Sequence, residues 1–163
     1  MSTFTPAEQV PNRERSAELS AWVGLLRAHA AVTRQFNREL YDRHGLTIND
    51  FEVLMHLRGA EGGRLRRVDL AAQVLLTASG ITRLLDGLER SGLVCKASCS
   101  ADARVTYAEI TDAGRSILAG AEGSHLAAVR TLFAERFSPE ELESLSMLLH
   151  RLPLAPPSDV CPG

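Results

Sequence analysis

The chain has 163 residues, 45% of them hydrophobic and 23% charged, with 18 basic against 20 acidic side chains and three cysteines. That length predicts one domain with extensions and a core that buries roughly 70% of the unfolded surface. The composition excludes a disordered polyelectrolyte, a collagen-like repeat and a disulfide-stapled miniprotein, and no stretch approaches the roughly 18 consecutive apolar residues of a membrane span.

Met1 to Ser16 is polar, without the apolar run of a signal peptide, which predicts a soluble cytoplasmic protein with no membrane contact and a flexible segment over residues 1–15. From about Ser16 to His44, Leu19, Trp22, Val23, Leu26, Ala30, Thr33, Phe36 and Leu40 recur at intervals of three and four. That spacing predicts one buried stripe on a long helix closed by Gly45. Thr47 and Asp50 form a capping pair for a second helix, which turns Ile48, Phe51, Leu54, Met55 and Leu57 inward and ends at Gly59. Glu61, Gly62 and Gly63 break the pattern, and Arg64 to Arg67 is a basic link with the character of a small strand.

Val68 to Val74 predicts a brief helix. Another begins at Thr77 to Ser79, carries Ile81, Leu84, Leu85 and Leu88 on one face, and stops at Ser91 and Gly92. Two short helices joined by three or four residues have the dimensions of a helix-turn-helix. Leu93 to Ala97 and Arg104 to Ile110 read as the strands of a hairpin, with Thr106, Ala108 and Ile110 sharing one face of the second. Thr111 caps a long helix to about Phe137, striped by Ile117, Ala121, Ala128, Leu132 and Phe133. Gly114, Gly120 and Gly123 each weaken it by roughly 1 kcal/mol relative to alanine, or serve close packing or a bend. Ser138, Pro139 and Glu141 start a last helix bearing Leu142, Leu145, Leu148, Leu149 and Leu152, and the proline-rich residues 153–163 read as a flexible tail.

Charge is distributed unevenly. Between Arg58 and Arg104 there are eight basic and five acidic residues, whereas the remainder carries ten basic and fifteen acidic ones. A basic centre flanked by acidic helices is the footprint of a local anion-binding face. All basic residues but Lys96 are arginines, whose planar guanidinium suits bidentate contact with phosphate or carboxylate.

The residues Ile81-Thr82-Arg83-Leu84-Leu85-Asp86, Leu88-Glu89, Gly92-Leu93-Val94, Asp102-x-Arg104 and Ile110-Thr111-Asp112-Ala113-Gly114 carry a specific resemblance. In order and spacing they resemble the helix, strand and wing signature of the MarR family of winged helix-turn-helix regulators, most strongly over Val68 to Gly114. The resemblance implies a mainly α fold with a small β-hairpin wing, a single domain over residues 16–152, a winged core at about 46–114, and dimerisation helices at about 16–44 and 111–152. It implies a homodimer that binds double-stranded DNA at a pseudo-palindromic operator, as a repressor released by a small aromatic or anionic effector.

A helix entering the major groove must present short polar groups and an arginine from its first turns, and Thr77, Ser79, Gly80, Thr82 and Arg83 lie there. A plainer reading pairs Arg83 with Asp86. At the wing, the resemblance implies that Arg104 enters the minor groove, positioned by Asp102 and aided by Lys96, although Ala103 stands where many relatives carry a further basic residue. A turn-stabilising pair of Asp102 with Arg104 fits both readings. Trp22, Arg27, His29, Tyr41, His44 and His56 are candidates for effector contacts, and none is preferred.

Two alternatives stand beside this reading. Cys95 or Cys99 could sense an oxidant as a thiol, Cys161 lying apart in the tail, or the winged helix could serve protein contacts without DNA. Catalysis finds no support: there is no HExxH, CxxC, glycine-rich phosphate loop or Gly-x-Ser-x-Gly, and the histidines lack metal-ligand spacing, so neither cofactor nor metal is expected.

Overall fold

A hydroxyl side chain begins each of four helices in the computed structural model, which describes residues 16–74, 76–98 and 106–152. The segments expected to be flexible, 1–15 and 153–163, lie outside the described residues. Thr47, Thr77, Thr111 and Ser138 accept from the backbone N–H of Asp50, Gly80, Gly114 and Glu141 at 3.0–3.3 Å, which satisfies amides that a helix start leaves without a partner. At Thr47 and Ser138 the carboxylates of Asp50 and Glu141 accept in return from the cap N–H at 2.8 Å, completing capping boxes.

The elements follow the predicted order. Helix α1 covers Ala17–His44 and α2 Ile48–Gly59; a 3-10 turn, Glu61–Gly63, leads into strand β1, Arg64–Arg66. Helices α3, Arg67–Gln73, and α4, Ala78–Arg90, precede strands β2, Val94–Ser98, and β3, Thr106–Ile110, and the chain continues into α5, Asp112–Ala134, and α6, Pro139–Leu149. Gly45 at φ 67° and Gly92 at φ 71° close α1 and α4 in the left-handed conformation that side chains resist. The small strand read at Arg64 to Arg67 forms as β1 and joins the expected hairpin: the order is β1-β3-β2, antiparallel throughout, with Leu65 opposite Ala108 and Lys96 opposite Ala108 on the other side.

The chain divides into two compact units, Met1–Arg34 and Gln35–Gly163, with the boundary inside α1. In the first, Leu19, Trp22, Leu25 and Leu26 are exposed, so the expected buried stripe does not form there within one chain. In the second, Phe36 and Leu40 of the same stripe are buried.

The core of the second unit gathers Val53, Leu54 and Leu57 of α2, Leu70 of α3, Ile81, Leu85 and Leu88 of α4, Val94, Ala108 and Ile110 of the sheet, and Leu118 of α5. Met55, expected to face inward, is 41% exposed, because α2 turns Val53 and Leu54 to the core instead. On α6, Leu142 and Leu145 are half-buried, while Met147, Leu148 and Leu149, and Leu152 just beyond the helix, are exposed. Arg58 of α2 grips Glu122 of α5 with two bonds of 2.8 and 2.7 Å, and this pairing lowers the Glu122 pKa and raises that of Arg58. Gly114 explains one of the helix glycines: a Cβ there would collide with the Leu93 carbonyl oxygen and Ile110, whereas one at Gly87 or Gly120 meets nothing within 4 Å.

Gly114→Ala should lower the unfolding free energy by about 2–3 kcal/mol through overpacking, while Gly87→Ala should raise it by about 1 kcal/mol; urea titration of both variants reads the contrast. His125 of α5 sits against Phe36 and Phe51, with ring centroids 5.1 and 4.9 Å away, and burial lowers its pKa below the ordinary 6.5 against a smaller opposing pull from Glu39. The unfolded chain then takes up a proton that the folded chain refuses. Stability from this group is complete above about pH 6.5 and lost as the pH falls below it, so His125→Gln should flatten the acid limb of stability measured by urea unfolding.

Candidate nucleic-acid interface

Helix α4 is amphipathic because its two faces have opposite tasks. Ile81, Leu85 and Leu88 are 0–3% exposed and anchor it to the core, a burial that contributes about 1.5–3 kcal/mol for each side chain. Ser79, Thr82, Arg83, Asp86 and Arg90 are exposed on the opposite face. The anchored half fixes the direction in which the polar half points.

The structure brings the predicted recognition residues together on the first turns of α4. Thr77 caps the helix, its Oγ1 stands 3.2 Å from Ser79 Oγ, and its acceptance from the Gly80 N–H orders the turn. Arg83 makes no hydrogen bond or ion pair with the described residues, and its expected local partner is engaged elsewhere: Asp86 Oδ1 lies 4.0 Å from Arg67 Nη2. Farther along the same face, the Arg90 side chain donates through Nε to the Asp86 carbonyl at 3.1 Å.

At the wing, Lys96 is exposed on β2 and pairs with Glu89 Oε2 at 2.9 Å. Asp102, Arg104 and Cys99 lie outside the described residues, as does Cys161. Cys95 is a free, exposed cysteine.

Two features escaped the sequence reading. The Arg66 guanidinium donates two hydrogen bonds to the Asp69 carboxylate at 2.6 and 3.0 Å, a pairing that the i, i+3 spacing could have signalled. Between the end of α2, β1 and α3 there is also an open cleft of about 1070 Å³, lined among others by Met55, His56, Arg64, Gln73 and Tyr107. Arg64 lies over the Tyr107 ring at 5.4 Å, so one wall offers a cation and an aromatic face together. Of the candidate effector residues, His56 lines this cleft, whereas His44 Nε2 is bonded to Ser124 Oγ at 2.8 Å. Among the described residues no group of three or more metal-ligating side chains occurs, and no helix is long and apolar enough to cross a membrane.

Comparison with known proteins places this arrangement among close counterparts. A family described as MarR matches residues 44–105. The HTH-type transcriptional regulator MhqR of Bacillus subtilis (strain 168) is 29% identical over 136 residues, 83% of this chain and 91% of that protein. Among solved structures, AbsC, a MarR family transcriptional regulator from Streptomyces coelicolor, shares 31% identity with a TM-score of 0.74, covering 83% of this chain and 91% of that one. Sco3205, a MarR family transcriptional regulator from the same organism in complex with DNA, shares 26% identity with a TM-score of 0.77, covering 88% and 90% of the two chains.

Loss of the cap should be felt where the polar face begins. Thr77→Ala is expected to cost about 1 kcal/mol of stability and to speed hydrogen exchange at the Gly80 amide; unchanged exchange there would contradict the role of this hydroxyl.

Proposed function

Since the chain belongs to the MarR family of winged helix-turn-helix, DNA-binding transcription regulators, we propose that it acts as a homodimer on a pseudo-palindromic operator, as a repressor released by a small aromatic or anionic molecule. The observation that carries this reading is the face of α4. The short hydroxyls of Thr77, Ser79 and Thr82 stand beside the exposed Arg83 on a helix anchored by the buried Ile81, Leu85 and Leu88. Such a stripe matches what a major groove requires: a guanidinium fork for a guanine edge or a phosphate, and hydroxyls with a helix N-terminus for phosphate oxygens or base edges.

The wing would add Arg104, with Asp102 positioning it, in the adjacent minor groove, where a narrow A·T-rich stretch concentrates negative potential. The dimer reading draws support from the uncovered apolar side chains of α1 and α6, Leu19, Trp22 and Leu26 on one and Met147, Leu148 and Leu149 on the other. Large apolar side chains exposed along a helix are what a partner surface would cover. A two-fold pair sets two recognition helices about one DNA turn, roughly 34 Å, apart. The cleft beside β1, with Arg64 over Tyr107 and His56 on its rim, has the chemistry for an aromatic or anionic effector, and β1 connects it through the sheet to the wing strands.

Arg83→Ala should weaken binding to the operator by about 1–3 kcal/mol and relax base preference at one position of each half-site, whereas Arg104→Ala should weaken binding to all duplexes more evenly. Fluorescence anisotropy on an operator and its single-base variants measures both. Equal affinity of both variants and the parent for every duplex would contradict the assignment.

A further inference from the structure

Outside the recognition stripe, one charged cluster joins three elements. Glu89, in the last turn of α4, has a side chain only 19% exposed, and its two oxygens serve different partners. Oε1 accepts from Arg67 Nη2 of α3 at 3.3 Å, and Oε2 meets Lys96 Nζ of β2 at 2.9 Å. Arg67 is 24% exposed, and its Nε is buried with no hydrogen-bond partner among the described residues. With Nε out of water, the Arg67 guanidinium has the carboxylates of Glu89 and, at 4.0 Å, Asp86 to balance its charge.

Strand parity explains why Lys96 joins this cluster. Side chains alternate along a strand, so Lys96 shares a face of β2 with Val94, which is buried in the core, and it stands opposite Ala108, which is buried as well. Lys96 therefore leaves the sheet on the side that packs against α4. Glu89, in turn, stands seven residues after Thr82, two helical turns on and on the same side of α4. One carboxylate thus ties the recognition helix to the root of the wing and to the first helix of the helix-turn-helix.

We propose that Glu89 is a positioning residue for DNA recognition, holding Arg67 and Lys96 so that α4 and the wing meet one duplex at a fixed angle, and that Lys96 acts through Glu89 and not on phosphate. The proposal rests on the DNA-binding reading above. A fixed angle matters because a helix in one groove and a wing in the next contribute together only when neither has to be reoriented on binding.

The test uses the full chain and two probes: a duplex enriched from a random-sequence pool by rounds of binding to the parent protein, and a scrambled duplex of the same composition. Lys96 is 54% exposed, so Lys96→Met should remain folded. Its preference for the enriched duplex should fall about threefold, the scale of one solvent-exposed ion pair, with the dependence of log affinity on log salt unchanged. Glu89→Gln, checked for its fold by circular dichroism, should lose preference about tenfold, and adding Lys96→Met to it should cost nothing more, because paired groups are not additive. The proposal is overturned if Lys96→Met weakens both duplexes equally and reduces the salt slope by about 0.9 per copy, the mark of a lost phosphate contact. It is equally overturned if folded Glu89→Gln keeps the parent's preference. An enrichment that returns no preferred sequence contradicts the DNA-binding reading, and this one with it.

Discussion

The burial of Ile81, Leu85 and Leu88 beneath α4 is the constraint on which the remaining arrangement depends. These side chains recur at intervals of four and three, so burying them fixes the rotation of the helix about its axis, and the same rotation brings Ser79, Thr82 and Arg83 outward. Beneath them lie Leu54 and Leu57 of α2 and, beside these, Val94, Ala108 and Ile110 of the sheet. The core therefore acts as a mount for the polar face. Gly114 completes it by letting α5 start against the Leu93 carbonyl, which joins the wing strand to the long helix without a gap.

A second constraint concerns what one chain leaves undone. One chain buries Leu54, Leu57, Leu70, Ile81, Leu85 and Leu88 of the winged core, with Met55 and Val68 left exposed, whereas Leu19, Trp22 and Leu26 of α1 and Met147 and Leu148 of α6 stay in contact with solvent. The periodicity that predicts those helices is as regular as that of α4, so the difference lies in the supply of a partner surface and not in the pattern. A helix start as well built as that of α6, with Ser138, Pro139 and Glu141 all in place, stabilises the helix locally, yet no side chain of α6 is fully buried. The dimer reading answers this contrast directly.

Much of the fold was legible in local chemistry. The caps at Thr47, Thr77, Thr111 and Ser138 and the closing glycines Gly45 and Gly92 act within four residues, so the sequence displays donor and acceptor side by side. The first turns of α4 were legible for the same reason. What could not be read depends on residues distant along the chain: the pairing of β1 with β3, the grip of Arg58 on Glu122, and the meeting of Arg67, Glu89 and Lys96. No spacing rule encodes such contacts. Met55 and Val53 show a subtler loss, since both are apolar neighbours on α2 and only the packing of the finished core decides which of them turns inward. The cleft beside β1 was missed because its walls come from α2, β1, α3 and β3, four segments that nothing in the linear order connects.

In the proposed function, paired copies present the Arg83-bearing face of α4 to successive turns of a duplex. The most direct measurement of this pairing is hydroxyl-radical footprinting of the chain on duplexes enriched by binding, combined with the stoichiometry of the complex from sedimentation. Two chains per site are expected, with two protected, inverted half-sites whose centres are about 10 base pairs apart or a multiple of that. A single chain bound without symmetry, or no protection of any sequence at low salt, would contradict it.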